Sequence, residues 1–139
     1  MIHPETVDIQ NIILVNAEKK EDWAFLLHNH DRYLEISLVL SGKGTFYCEG
    51  RSYAMQAGDL VIKNAGVIHA EHSSRDDPIH QICISFSGVN EIPDAPGCIL
   101  SVHMEPLIQS GDDFPILSAA FSYLAEYGRQ MRNLLLAIL

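Results

Sequence analysis

Four side chains carry the chemistry this sequence could perform: His28, His30, Glu35 and His69. His28 and His30 are two residues apart, so on a strand both imidazoles leave the same face. Glu35 opens the next apolar run, and a tight bend over residues 29–32 would bring it alongside. His69 follows the turn-like Lys63-Asn64-Ala65-Gly66 and opens a further strand. Three imidazoles and one carboxylate converging in a barrel could hold a first-row divalent ion (Zn, Ni, Fe, Mn or Co) with positions left for a ligand. The same four could line an effector pocket without metal, or bond to one another as interior polar groups. An unpartnered interior glutamate costs about 1–3 kcal/mol, and pairing meets that demand in all three readings.

The elements that must position these residues are short strands. Ile12-Ile13-Leu14-Val15, Trp23 to Leu27, Tyr33 to Leu40, Thr45 to Cys48, Arg51 to Met55 and Leu60 to Ile62 are apolar or β-branched runs bounded by turn residues. Glu49-Gly50 reads as the loop of a hairpin, with Gly50 supplying positive φ. Asp59 after Gly58 reads as a turn residue able to cap backbone donors. Ile82, Ile84 and Phe86 alternate with Gln81, Cys83 and Ser85, the pattern of a half-buried strand. Many short strands at near-regular spacing predict a barrel or sandwich.

Beyond residue 105 the period becomes helical. Phe114, Leu117, Phe121 and Leu124 form one apolar stripe, after Asp112 and Asp113 as caps and Pro115 in the first turn. Ile116, Ala120, Tyr123 and Tyr127 form a second, and a helix with two apolar stripes usually has two partners. Gly128 predicts the end of that helix, and Met131, Leu134, Leu135 and Ile138 predict another.

The 139 residues suit one domain with one core. Nine basic against 18 acidic residues give a net charge of −9, which works against the chain wrapping DNA by itself. Cys48, Cys83 and Cys98 are odd in number and widely spaced, unlike a disulfide framework or thiolate zinc site. No signal peptide or membrane span is evident, so a cytoplasmic setting and no membrane partner are expected. No Ser-His-Asp arrangement or Gly-rich phosphate loop stands out.

The spacing His28-x-His30-x4-Glu35-x6-Gly42 resembles the first cupin motif, and Gly58-x5-Asn64-x-Gly66-x2-His69 resembles the second. Asp22, Asn64 and Ser73 depart from the glycine, proline and asparagine of those motifs. Within cupins, Tyr33 to Gly44, Ala57 to Ile62 and Gly66 to His69 resemble the amino-terminal sensor domain of AraC-type transcriptional regulators, as does the helical tail. The resemblance implies a mainly β fold: a cupin-type double-stranded β-helix, or jelly-roll, barrel followed by C-terminal α-helices. It implies an effector-binding barrel over residues 1–105; from position alone, residues 1–20, with Ile12 to Val15, could form an arm that closes over the cup. Residues 106–139 would be a helical dimerisation tail, the chain being cut before a DNA-binding domain.

The expected partners are a small organic effector, sugars among them, and a second copy joined through the helices. DNA would be reached only through the absent domain. His28, His30, Glu35, His69, Tyr33 and Phe46 are the expected ligand-binding residues, with His28, His30, Glu35 and His69 also the metal set if a metal is held. No cofactor is required on this reading, and no catalytic residue is assigned. The rival reading is a metal-dependent cupin enzyme of dioxygenase or isomerase type. Glu71 to Asp77 reads as a solvated turn, and the three cysteines as small buried apolar residues.

Overall fold

The computed structural model describes residues 6–101 and 103–138. Nine strands precede one helix: β1 (Asp8–Asn16), β2 (Ala24–His28), β3 (Leu34–Ser41), β4 (Lys43–Cys48), β5 (Arg51–Gln56), β6 (Asp59–Lys63), β7 (His69–Ser73), β8 (His80–Ser87), β9 (Leu107–Gln109) and α1 (Phe114–Ile138). Each apolar run expected to be a strand falls on one of them, Trp23 and Tyr33 lying just before β2 and β3.

Their pairing is nested: β1 with β8, β2 with β7, β3 with β6 and β4 with β5, all antiparallel. That is a long hairpin of four strand pairs, eight strands in all, folded over on itself, which is a jelly roll. The result is a five-stranded sheet, β1-β8-β3-β6-β9, and a four-stranded sheet, β2-β7-β4-β5. Strands β2 and β3 lie in different sheets, so the bend over residues 29–32 is a crossing between layers. The β4–β5 hairpin closes on Glu49 and Gly50, both at positive φ (49° and 78°), the geometry a two-residue loop needs to match strand twist.

Strand alternation divides the side chains between two environments. Val15, Val39, Phe46, Met55, Val61 and Cys83 form an apolar core, packed around a set of interior polar residues. Leu34, Ile62, Val89 and Leu100 make a second cluster. Strand β8 is buried along Gln81–Ser85, so Gln81, Cys83 and Ser85 are also out of water. The expected half-buried strand is therefore covered on both faces.

Helix α1 packs against β1, β3 and β8. Its partly buried positions include Phe114, Leu117, Phe121, Leu124 and Gly128, while Ile116, Tyr123 and Tyr127 stay exposed. Two stripes with different environments match the sequence pattern. The expected break at Gly128 does not occur: α1 is a single helix of 25 residues. Gly128 serves close packing, since a Cβ there would lie 3.2 Å from Ile12 Cδ1 of β1. Its neighbours Glu126, Arg129, Gln130 and Met131 are good helix formers and offset the cost of one glycine. Residues 107–109 of the expected helical tail form a strand beside β6, and the helix starts at Phe114, directly after Asp112 and Asp113. No helix among the described residues is long and apolar enough to cross a membrane.

Residues 8–16 of the expected arm are laid into the five-stranded sheet through pairing with β8, and residues 1–5 lie outside the described residues.

Gly42 and Gly50 both have positive φ, but a Cβ on Gly42 would collide with the Pro78 carbonyl, whereas one on Gly50 would meet nothing within 4 Å. Gly50→Ala is expected to cost about 1–2 kcal/mol, the backbone strain alone. Gly42→Ala should cost clearly more, read as the larger fall in urea midpoint at unchanged slope.

Candidate functional site

His28 ends β2, His30 lies in the crossing that follows, and His69 opens β7. Antiparallel pairing sets His28 opposite His69, and a Gly66 N–H donates to the His30 carbonyl at 2.8 Å, fixing the crossing over the β6–β7 loop. The rings converge, with centroids 4.3 Å apart for His28–His69, 5.0 Å for His28–His30 and 5.5 Å for His30–His69. One ring nitrogen from each lies within 4.8 Å of the others. His30 joins the group from beyond the end of the strand, so the period-2 argument reached the right pair through a bend.

Two of the rings have their tautomers set by backbone. His69 Nδ1 is 3.0 Å from the Val67 carbonyl, and His28 Nδ1 is 2.7 Å from the Leu26 carbonyl. A carbonyl only accepts, so Nδ1 donates and the Nε2 lone pair of the neutral ring faces the group. Burial, reinforced by Lys63 and His28, outweighs the Val67 carbonyl and pushes His69 down to about 4, which keeps it neutral at pH 7. His69 Nε2 and His30 Nε2 are buried without a hydrogen-bond partner. Orphaned imidazole nitrogens beside carbonyl-anchored ones are what a divalent ion needs, so the three histidines fit a metal.

Glu35 sits differently from its expected role as a fourth ligand. Its Oε2 is 3.4 Å from His30 Nε2, but its Oε1 accepts a 2.6 Å hydrogen bond from Lys63 Nζ. Lys63, 3% exposed, also pairs with Glu71 and donates to Ser37 Oγ at 3.0 Å. Gln81 Nε2 donates to the other Glu71 oxygen at 2.6 Å, and Ser37 Oγ donates to Cys83 Sγ at 3.1 Å. Burial alone would raise the Glu35 carboxyl; the Lys63 ammonium, helped by His30 and His69, outweighs it and holds the group below its ordinary value. Burial would likewise lower the Lys63 ammonium, yet Glu71, Cys83 and Glu35 hold it above its usual range. Burial pushes the Cys83 thiol up to about 12, so it stays protonated.

Glu71 corrects one expectation outright. It lies in β7, buried, and not in a solvated turn; Lys63 is the last residue of β6 and points inward. The missing signal was parity. His69, Glu71 and Ser73 alternate from the proposed ligand His69, as Asp59, Val61 and Lys63 alternate along β6, so both strands send polar residues inward.

A cavity of about 70 Å³ lies inside the barrel, lined by Ile13 and Val15 of β1, Phe25 and His28 of β2, and His30, Glu35, Lys63, Glu71, Gln81 and Cys83. Phe46 is fully buried beside it, its ring 6.2 Å from that of His69 and its centroid 5.9 Å from Lys63 Nζ. Tyr33 is exposed and outside the lining.

The nested pairing and the polar, histidine-bearing interior define the class as a jelly-roll barrel. Residues 13–135 match the family model of the AraC-like ligand binding domain, and the chain belongs to that family. It is 25% identical over 111 residues to an uncharacterized HTH-type transcriptional regulator, YdiP, of Escherichia coli, covering 80% of this chain. The chain spans only 37% of that regulator's length. Among solved structures it is similar to a cupin protein from Bacteroides fragilis (22% identity, 69% of this chain and 80% of that one, TM-score 0.49). The protein YhaK from Escherichia coli is similar at 16% identity, over 71% of this chain and 44% of that one, with TM-score 0.48.

Two outcomes test the site. Lys63→Met leaves Glu35 and Glu71 buried without their cation and is expected to cost about 3–5 kcal/mol at pH 7. Adding Glu35→Gln and Glu71→Gln should recover much of it, read by chemical denaturation. Separately, the folded protein binds fewer protons at His69 than the unfolded chain between pH 6.5 and about 4. Stability of chelator-treated protein should therefore fall as pH drops through that window, and His69→Gln should flatten the fall.

Proposed function

We propose that this domain senses a small organic molecule admitted to the histidine-lined interior of the barrel, and that it acts as a homodimer within a DNA-binding regulator. The carrying observation is a pair of buried, unpartnered acceptors: Gln81 Oε1 in the cavity wall, and His69 Nε2, whose Nδ1 is tied to backbone, packed against the histidines of the lining. Such groups cost about 1–3 kcal/mol each unless something bonds to them. In a ligand-binding family, a ligand is what relieves that cost.

The proposed response runs through β1. Ile13 and Val15 wall the cavity, and Ile12 touches α1 at Gly128. A cavity of about 70 Å³ is far below the ~300–1,000 Å³ that drug-sized ligands occupy, so an organic effector such as a sugar must part β1 from β2 to enter. Moving β1 shifts the seat of α1, and the effector's preference for the parted state sets the population. Dimerisation is proposed through the outer face of α1, where Ile116, Tyr123, Tyr127, Leu134 and Leu135 are exposed. DNA contact belongs, on this proposal, to helix-turn-helix units outside these 139 residues, as in a regulator of the relative's kind.

The three converging nitrogens favour a second reading, in which His28, His30 and His69 hold a divalent ion. With turnover this would be a metal-dependent cupin enzyme of dioxygenase or isomerase type; without it, the ion would be part of the sensor. Such an ion would supply Lewis acidity to a bound oxygen ligand.

Sedimentation velocity at tens of micromolar should give twice the 15.5 kDa chain mass, and Tyr123→Glu with Tyr127→Glu should give the single mass with an unchanged far-ultraviolet spectrum. A monomeric unaltered chain removes the dimer from the proposal. For the ion, equilibrium dialysis against zinc should show one site whose affinity drops at least about tenfold in His30→Ala. Bound metal with oxygenase or isomerase turnover would favour the enzyme.

A further inference from the structure

Resting on the reading of the barrel interior as a ligand site, we propose that the metal-free cavity between the histidines and Gln81 takes the ammonium head of a small amine. The interior carries two carboxylates, Glu35 and Glu71, against one ammonium, Lys63, and all three are buried. Lys63 has three protons, and its three partners are Glu35 Oε1, Glu71 Oε1 and Ser37 Oγ. No donor of the buried cation is left for an incoming anion.

Apart from the second amide N–H of Gln81 and the Cys83 thiol, what remains for a ligand is acceptor capacity. Gln81 donates one amide N–H to Glu71 and leaves Oε1 buried and unpartnered. Of the histidines that line the cavity, His28 donates its Nδ1 to a backbone carbonyl, so its ring also presents a bare Nε2. Ser37 uses its hydroxyl hydrogen bond on Cys83 Sγ. A carboxylate ligand would meet lone pairs and an excess negative charge. A hydroxyl brings one proton and no charge. An ammonium brings three protons and the charge that balances the second carboxylate, as Lys63 already does for the first. The cavity of about 70 Å³ has room for such a head group and a short stem, while the apolar walls Ile13, Val15 and Phe25 suit the stem.

The test uses the chelator-treated chain and its single tryptophan, Trp23, which lines a small pocket shared with Phe25, Glu71 and Gln81. Ethylammonium, ethanol and propionate differ in the head group and little in bulk, and each is titrated at constant ionic strength while Trp23 fluorescence is read. Ethylammonium is expected to bind at least about tenfold more tightly than ethanol, with propionate weaker still, since one charge at contact range is worth more than the ~1.4 kcal/mol a factor of ten requires. Glu71→Gln, which removes the excess charge at constant shape, should weaken ethylammonium at least about tenfold and leave ethanol unchanged. Gln81→Met should weaken both. Zinc on the histidines reverses the local charge and should weaken the amine.

Propionate or ethanol binding as tightly as ethylammonium overturns the assignment, as does absence of any ethylammonium response or indifference to Glu71→Gln. The unaltered chain decides the matter even if a variant fails to fold. Failure of the wider sensing reading shows elsewhere, as ligands that fill the cavity without changing self-association.

Discussion

The ammonium of Lys63 is the point on which the barrel interior turns. It sits on β6 of the five-stranded sheet and pairs with Glu35 of β3 in the same sheet and Glu71 of β7 in the opposite one. Gln81 of β8 then bonds to Glu71, so the polar chain crosses between the layers twice. Such a network is poor value as stabilisation alone, because a well-packed apolar interior of the same volume does as well or better. Its effect on the site is what distinguishes it. By holding Glu35 as a carboxylate at 2.6 Å, Lys63 provides its closest partner, while His30 lies 3.4 Å from the other carboxylate oxygen and His69 Nε2 is left unpartnered.

The same constraint organises the outside. A polar interior cannot shrink to a close-packed core, and the space left is walled on one side by β1, the edge strand of its sheet. β1 carries Val15 inward and Ile12 toward Gly128 of α1, so one strand touches both the cavity and the helix. Elements that move in sensing are drawn from the weakly held parts of a fold, and an edge strand with one pairing partner is such a part. One strand therefore links the cavity wall to the seat of the helix.

The strand pattern was legible because alternation and turn residues are local signals: β3, β4, β5, β6 and β8 all fall on the apolar runs, and the Glu49–Gly50 turn has the backbone its residues prefer. The histidines were legible through spacing. Lys63 and Glu71 were not, because a lysine before Asn-Ala-Gly and a glutamate ahead of Ser-Ser-Arg-Asp-Asp carry the composition of loops. Only long-range pairing, Glu35 opposite Lys63 and Phe46 opposite Glu71, buries them. Gly128 misled for a related reason: its lack of a side chain serves contact with Ile12, which no local pattern reveals.

The most direct test of the Lys63 arrangement is nitrogen-15 nuclear magnetic resonance of the lysine ammonium groups at neutral pH. The account predicts one ammonium, assigned to Lys63 through its loss in Lys63→Arg, with protons slow enough in exchange to be resolved and with couplings to carboxylate partners. The other three lysines should exchange with solvent too fast to give it. A Lys63 ammonium exchanging like those three would contradict the buried pairing.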